Sequence, residues 1–184
     1  MDLVAWAYSV AEDQLAGSLP RRWAHVQGVA MRAEEARGLF VGQDQELLTA
    51  AAVLHDVGYA PDLALTGFHP LDGARYLDQQ GFPERLCALV AHHSFACREA
   101  ELRGLSAELA SWEDEKSAVR DALWWADMTT SPDGQVTTVV DRLAEIHKRY
   151  GPDDIVTMFI GQAEPELVAA AERTEKRLRA IGRG

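Results

Sequence analysis

Cysteine is scarce in this sequence. Among 184 residues there are only two, Cys87 and Cys97, and they lack C-x-x-C spacing. That excludes a disulfide framework and leaves each cysteine the role of a small buried hydrophobe. Long apolar runs are also missing: none reaches the roughly 18 residues of a membrane span. The N-terminus, Met1-Asp2-Leu3-Val4-Ala5-Trp6, has no basic segment and no cleavage site. Together these absences predict a cytoplasmic protein with no membrane partner. Positive charge is short as well. A net charge of −11 argues against a surface for nucleic-acid polymers, while a basic pocket inside an acidic shell stays compatible with it. Finally, β-branched runs are rare, Val136-Thr137-Thr138-Val139-Val140 being the one example.

What is present is helical patterning. Hydrophobic residues make up 47% and charged residues 26%, ordinary for a globular chain that buries its own core. Leu3, Trp6, Ala7, Val10, Ala11 and Leu15 recur at helical spacing before Gly17. Pro20 suits the first turn of a helix running to about Leu39, with Trp23, Val26, Ala30 and Ala33 inward and His25 one position off that stripe. Asp44 reads as the cap of a helix that ends near His55, and residues 58–67 read as a loop. Helices are expected from just after Phe68-His69-Pro70 to Gln80 before Gly81, from Pro83 to His92-His93, and from Lys116 to Met128. Glu101 to Leu109 fits a short helix or a lid-like loop. Val136 to Tyr150 and Ile155 to Ile181, the latter broken near Pro165, complete an all-α bundle. The pattern shows no repeat or linker. A single domain over 1–184 is expected, its site-bearing core at about 20–130 and its C-terminal helices, 136–181, packed upon it.

The chemistry concentrates at Ala50-Ala51-Ala52-Val53-Leu54-His55-Asp56-Val57-Gly58. An imidazole and a carboxylate side by side behind small apolar residues are costly as plain core, because the carboxylate must give up water. A cation removes that cost. His25, His69, His93 and Asp127 are of the same ligand type and stand in helix-like surroundings. Imidazole and carboxylate without thiolate suit manganese, iron, cobalt, nickel or magnesium better than structural zinc. His25, His55, Asp56 and Asp127 can meet around one ion. His69 and His93 can meet a second that Asp56 bridges.

The order His25…His55-Asp56…Asp127 resembles the signature of the HD-domain superfamily of metal-dependent phosphohydrolases. With His69 and His93 it resembles the dinuclear, often iron-containing branch, and Phe68-His69-Pro70-Leu71-Asp72-Gly73-Ala74 resembles a segment of small bacterial HD hydrolases. The likeness spans about Trp23 to Asp127. It implies one or two divalent ions, iron or manganese first, held by His25, His55, Asp56 and Asp127 and by Asp56, His69 and His93. It also implies Asp56 in the catalytic chemistry and attack of an activated water on phosphorus. Of His92 and His93, the position before Ser94 selects His93 as ligand. His92 becomes its catalytic neighbour or a substrate contact. No glycine-tyrosine-proline motif follows the pair, so the cyclic-di-GMP branch is a poor match.

A small phosphorylated, nucleotide-like substrate calls for cationic contacts. Arg98, Arg103 and Lys116 are the candidates, with Arg22 behind them and a solvated surface role as the competing reading of each. Thr129, Thr130 and Ser131 read as a helix cap or as substrate contacts. Trp124 and Trp125 read as core, and His147 as a surface histidine. Two other functions fit the same ligands. One is an O2-dependent di-iron oxygenase, since His93-Ser94-Phe95 resembles a stretch of the inositol-oxygenase type. The other is a non-catalytic nucleotide-sensing module. A homodimer is compatible with every version.

Overall fold

The structure, a computed structural model, describes residues 2–182. Helix α1 (Leu3–Leu15) is capped by Asp2, whose Oδ1 accepts from the amides of Val4 and Ala5 at 3.0 and 3.2 Å. Its buried Ala7, Ala11 and Leu15 recur every four residues and face the core. Helix α2 (Pro20–Ala36) starts on its proline, and the three residues expected to continue it, Arg37–Leu39, tighten into a 3-10 turn. Helix α3 (Gln43–Leu54) is buried continuously from Leu47 to Leu54. It begins after Gly42, two residues before the expected cap. Asp44 instead lies in the first turn, where its charge suits the helix dipole, and accepts from Arg85 Nη1 at 2.6 Å.

Helices α4 (His69–Gln79) and α5 (Glu84–Ala91) follow and pack on each other. The stretch left open between helix and lid is helical. Helix α6 (Ala96–Arg103) stops at Gly104, whose φ of +70° suits a residue without Cβ, and the short α7 (Ser106–Leu109) follows. Helix α8 (Ala118–Met128), capped by Ser117, is buried at every residue from Val119 onward. Trp124 and Trp125 are therefore core, at 1% exposure each.

Helix α9 (Val139–Arg149) begins three residues later than its periodicity suggests. Val136 pairs with Thr130 in an isolated bridge, and Thr138 caps the helix by accepting from the Asp141 amide. Helix α10 (Ile155–Ile181) runs unbroken through Pro165. Pro165 and Gly161, whose carbonyl the proline leaves without its helical donor, are both exposed, so the carbonyl is open to solvent.

Among the described residues there are no strands. Helices α3 and α8 pack on each other at the centre, with α1, α2 and α5 against α3 and α2, α9 and α10 against α8. One buried cluster takes side chains from α1 through α10. Asp121 of α8, 3% exposed, pins α10 by accepting from Arg173 Nε and Nη2 and from Arg177 Nη1 at 2.8–2.9 Å. No helix among the described residues is long and apolar enough to cross a membrane.

Candidate metal centre

Five backbone segments deliver the ligand-type side chains to one place. His25 comes from the buried face of α2. His55 ends α3, and Asp56 follows it with φ −101° and ψ 7°, the conformation that turns the chain into the 3-10 turn Val57–Tyr59. Gly58 then passes so close to α4 that a Cβ there would lie 2.1 Å from the His69 carbonyl oxygen and 2.5 Å from the Gly73 nitrogen. That approach brings His69, first residue of α4, beside Asp56. The intervening loop is held by Asp72, whose carboxylate accepts from the amides of Thr66 and Gly67. His93 follows the end of α5, and Asp127 lies one residue before the end of α8.

The Asp56 carboxylate stands between two sets of imidazoles. Its Oδ2 lies 3.4 Å from His55 Nε2 and 3.7 Å from His25 Nε2, while its Oδ1 lies 3.3 Å from His69 Nε2 and 3.8 Å from His93 Nε2. Asp127 Oδ1 closes the first set at 3.1 Å from His25 Nε2 and 3.8 Å from His55 Nε2. Its Oδ2 accepts from the Ser94 hydroxyl. Ser94 and Phe95 both adopt left-handed backbone, φ 47° and 62°. Two successive non-glycine residues in that region carry strain of about 1–3 kcal/mol each. The turn they make places His93 and Ser94 on the same side as Asp127.

Three of the rings are locked in the tautomer a cation needs. His25 Nδ1–H donates to the Ser131 carbonyl at 2.9 Å, His55 Nδ1–H to Ala52 at 2.8 Å and His93 Nδ1–H to Val90 at 2.6 Å. With Nδ1 as donor, Nε2 carries the lone pair, and all three Nε2 atoms point at the carboxylates. His69 Nε2 also lies 3.1 Å from His93 Nε2. Such contacts between lone pairs and anionic oxygens are repulsive unless something positive lies between them, a metal cation or, without one, a proton on His55.

The electrostatics agree. Burial opposes charge on His55, yet Asp56 and Asp127 outweigh it and hold its pKa up at about 9. Burial likewise opposes ionisation of Asp56, but Arg22 and His55 drive its pKa well below the usual range, and His25 and His55 do the same for Asp127. Burial, with His69 and His55 nearby, pushes His93 down to about 3 and keeps it a neutral donor. His55 Nε2 is fully buried with no hydrogen-bond partner. An orphaned imidazole nitrogen facing two carboxylates fits a divalent cation. His25, His55 and Asp56 form one group of donors close enough to share an ion, and Asp56, His69 and His93 form another.

The structure distributes the remaining sequence candidates unevenly. Arg103 lines the cavity above the cluster and pairs with Glu99 Oε1 at 2.6 Å. Arg98 does not reach it: on the outer face of α6 it pairs with Glu101. Lys116 is exposed at the turn before α8 and is not among the cavity-lining residues. His92 is also corrected. Helix α5 ends at Ala91, and the backbone there sends the two histidines apart. His92 Nε2 lies 2.8 Å from the Trp112 carbonyl, and its own carbonyl accepts from Trp124 Nε1 at 3.0 Å. It ties α5 to α8 and touches no ligand.

Thr129 and Thr130 finish α8 by donating to the carbonyls of Trp125 and Ala126. Ser131 serves the site through its backbone, as the acceptor for His25. His147 is exposed. Sequence patterning ranked Arg22 too low. Its Nη1 donates to Asp56 Oδ2 at 2.7 Å, and its guanidinium lies 4.0 Å over the Tyr59 ring, which stacks in turn on His69 at 3.9 Å. Its place three residues before His25, one turn along α2, was the available signal. Arg142 and Arg149 of α9, also cavity-lining, carried no such signal.

The model of the HD domain family matches residues 22–146. The chain is a member of the HD domain family. No curated protein and no solved structure matches it. The matched span contains all six ligand-type residues, and HD domains are all-α and mostly metal-dependent hydrolases. The His and Asp groups described above can hold the metal that such chemistry uses.

Proposed function

We propose that this HD protein hydrolyses a phosphoester or phosphoanhydride bond in a small phosphorylated molecule, using one or two divalent ions, iron or manganese before others. One observation carries the reading: Asp56 is shared by two sets of imidazoles at the floor of a cavity whose walls carry guanidinium groups. The cavity holds about 360 Å³, at the small end of the roughly 300–1,000 Å³ of small-molecule sites. Arginines on its walls, in a chain of net charge −11, mark a place built for an anion.

Bound at the Asp56 cluster, a divalent cation supplies Lewis acidity, a lowered water pKa and neutralisation of phosphoryl charge. The chain's residues do the rest. Arg22, clamped between Tyr59 and Asp56, presents its remaining N–H groups toward a phosphoryl oxygen next to the cluster. Arg103, steadied by Glu99, offers a second guanidinium from the end of α6. Asp56 and Asp127, held ionised by their neighbours, keep the ligand field anionic, and the locked rings fix its geometry.

The test is phosphate release from a panel of nucleotides and small phosphomonoesters, with the protein reconstituted in manganese or iron. Release that stops on chelation and returns with metal supports the proposal. Dioxygen uptake by an iron-loaded protein without phosphate release would replace it with the oxygenase reading. Tight ligand binding without turnover would replace it with the sensor reading.

A further inference from the structure

Arg142 has no part in the cluster just described, yet it is the most enclosed arginine on the cavity wall. It is 7% exposed, and its Nε is buried with no hydrogen-bond partner. Its one ion pair, through Nη1, goes to Glu145 one turn along α9, and Arg149 grips the same carboxylate from the other side. Elsewhere this chain uses the Nε–Nη2 edge of arginine as a two-pronged fork. Arg21 turns that edge to Asp133, Arg85 to Glu115 and Arg173 to Asp121. In Arg142 the same edge meets no carboxylate.

A buried guanidinium edge left without an acceptor needs an explanation in any folded protein. Here the residue lines a cavity, with Arg149 and Arg103 on the same walls. The acidic groups around it are already engaged. Glu99 holds Arg103, Glu145 is divided between two arginines, and Asp154 caps α10 by accepting from the Val156 amide at 2.7 Å. Arg142 forms no ion pair with Asp56 or Asp127, so its charge is not spent on the ligand cluster.

We infer that Arg142, with Arg149, receives a second anionic group of the substrate, a carboxylate or a further phosphate, while the scissile phosphate lies at the Asp56 cluster. The inference rests on the phosphohydrolase reading and narrows its substrate class to small phosphoesters with an anion at both ends. Two oxygens of that distal anion match the Nε–Nη2 fork once the Arg142 side chain turns this buried edge into the cavity, a turn that release of Glu145 permits. Glu145 is the group it displaces or shares, so Glu145 acts as a built-in competitor.

The test uses manganese-loaded protein and non-hydrolysable probes: alkylphosphonates of graded length, each plain, with a terminal carboxylate, and with a terminal phosphonate. Affinities are read by calorimetry. At the best-fitting length the doubly anionic probe should bind about tenfold tighter than its plain partner. The carboxylate and phosphonate series tell which second anion is preferred. Arg142→Lys, which keeps the charge but loses the fork, should bring that ratio toward one. Glu145→Gln, which removes the competitor without emptying the site, should raise it. Equal binding of plain and doubly anionic probes at every length would overturn the inference while leaving the phosphohydrolase reading intact. A ratio unmoved by Arg142→Lys and by Glu145→Gln would do the same. Failure of every phosphonate to bind would overturn both.

Discussion

Asp56 Oδ1 lies 3.3 Å from His69 Nε2, on the side of the carboxylate turned away from His55 and His25. One side chain therefore serves two sets of donors, and removing it is not equivalent to removing any one histidine. Asp56→Ala is expected to abolish metal retention altogether. His69→Ala is expected to lower the bound stoichiometry while sparing the set made by His25, His55 and Asp127. Elemental analysis after gel filtration distinguishes the two. Full metal content in Asp56→Ala would remove the basis for assigning the centre.

Gly58 is where the fold and the site meet. A Cβ there would collide with backbone atoms of His69 and Gly73, which no rotamer change can relieve. In Gly58→Ala, α4 must retreat and carry His69 with it. Stability should fall by about 1–3 kcal/mol, as expected for overpacking. Metal affinity on the His69–His93 side should fall by about 10–100-fold, the usual penalty for disturbing what orients a ligand. A metal titration followed by tryptophan fluorescence measures this, and an unchanged titration would contradict it.

Much of this candidate centre is legible in the sequence. An imidazole–carboxylate pair after an alanine-rich helix is expensive without a cation, and the other ligand-type residues stand in helix-like surroundings. The helices were legible for the same reason, since apolar periodicity survives in α1, α2, α5 and α8. Patterning could not say which of two adjacent histidines faces inward, because that depends on where α5 lets go. It could not place Arg142 or Arg149 either, since both sit on an amphipathic helix as any solvated arginine would. Pro165 misled for a related reason. A proline removes the N–H donor that the carbonyl four residues back would use and crowds that carbonyl, and here the carbonyl belongs to exposed Gly161, where water can donate instead.

His92 and His93 should separate cleanly under mutation. His92 holds the Trp112 carbonyl within the core and leaves the ligand cluster alone. His92→Ala is therefore expected to cost about 1–3 kcal/mol, the price of a buried acceptor left unpaired, with metal content unchanged. His93→Ala is expected to do the reverse to metal content. Denaturant melts paired with metal analysis read both. Loss of metal in a folded His92→Ala protein would put that residue back at the site.

Asp121 gives the fold an acid-sensitive clasp less than two turns along α8 from Asp127. Burial alone would raise its pKa, but the hydrogen bonds from Arg173 and Arg177 overcome that and hold it below the usual carboxylate range. A carboxylate whose folded pKa is depressed contributes stability above its unfolded value of about 3.9, and that contribution is lost as pH falls through the lower folded value. Asp121→Asn keeps the shape but drops the charge. It should be less stable than the native chain by about 1–3 kcal/mol near neutral pH, with the gap closing as the medium is acidified below about pH 4. Because Arg173 and Arg177 are 39% and 38% exposed, salt should narrow the gap as well. Urea melts of both proteins across that range test the sign. A gap that widens on acidification would mean that burial outweighs the arginines and raises the Asp121 pKa, and the absence of a gap at any pH would mean that this ion cluster contributes nothing.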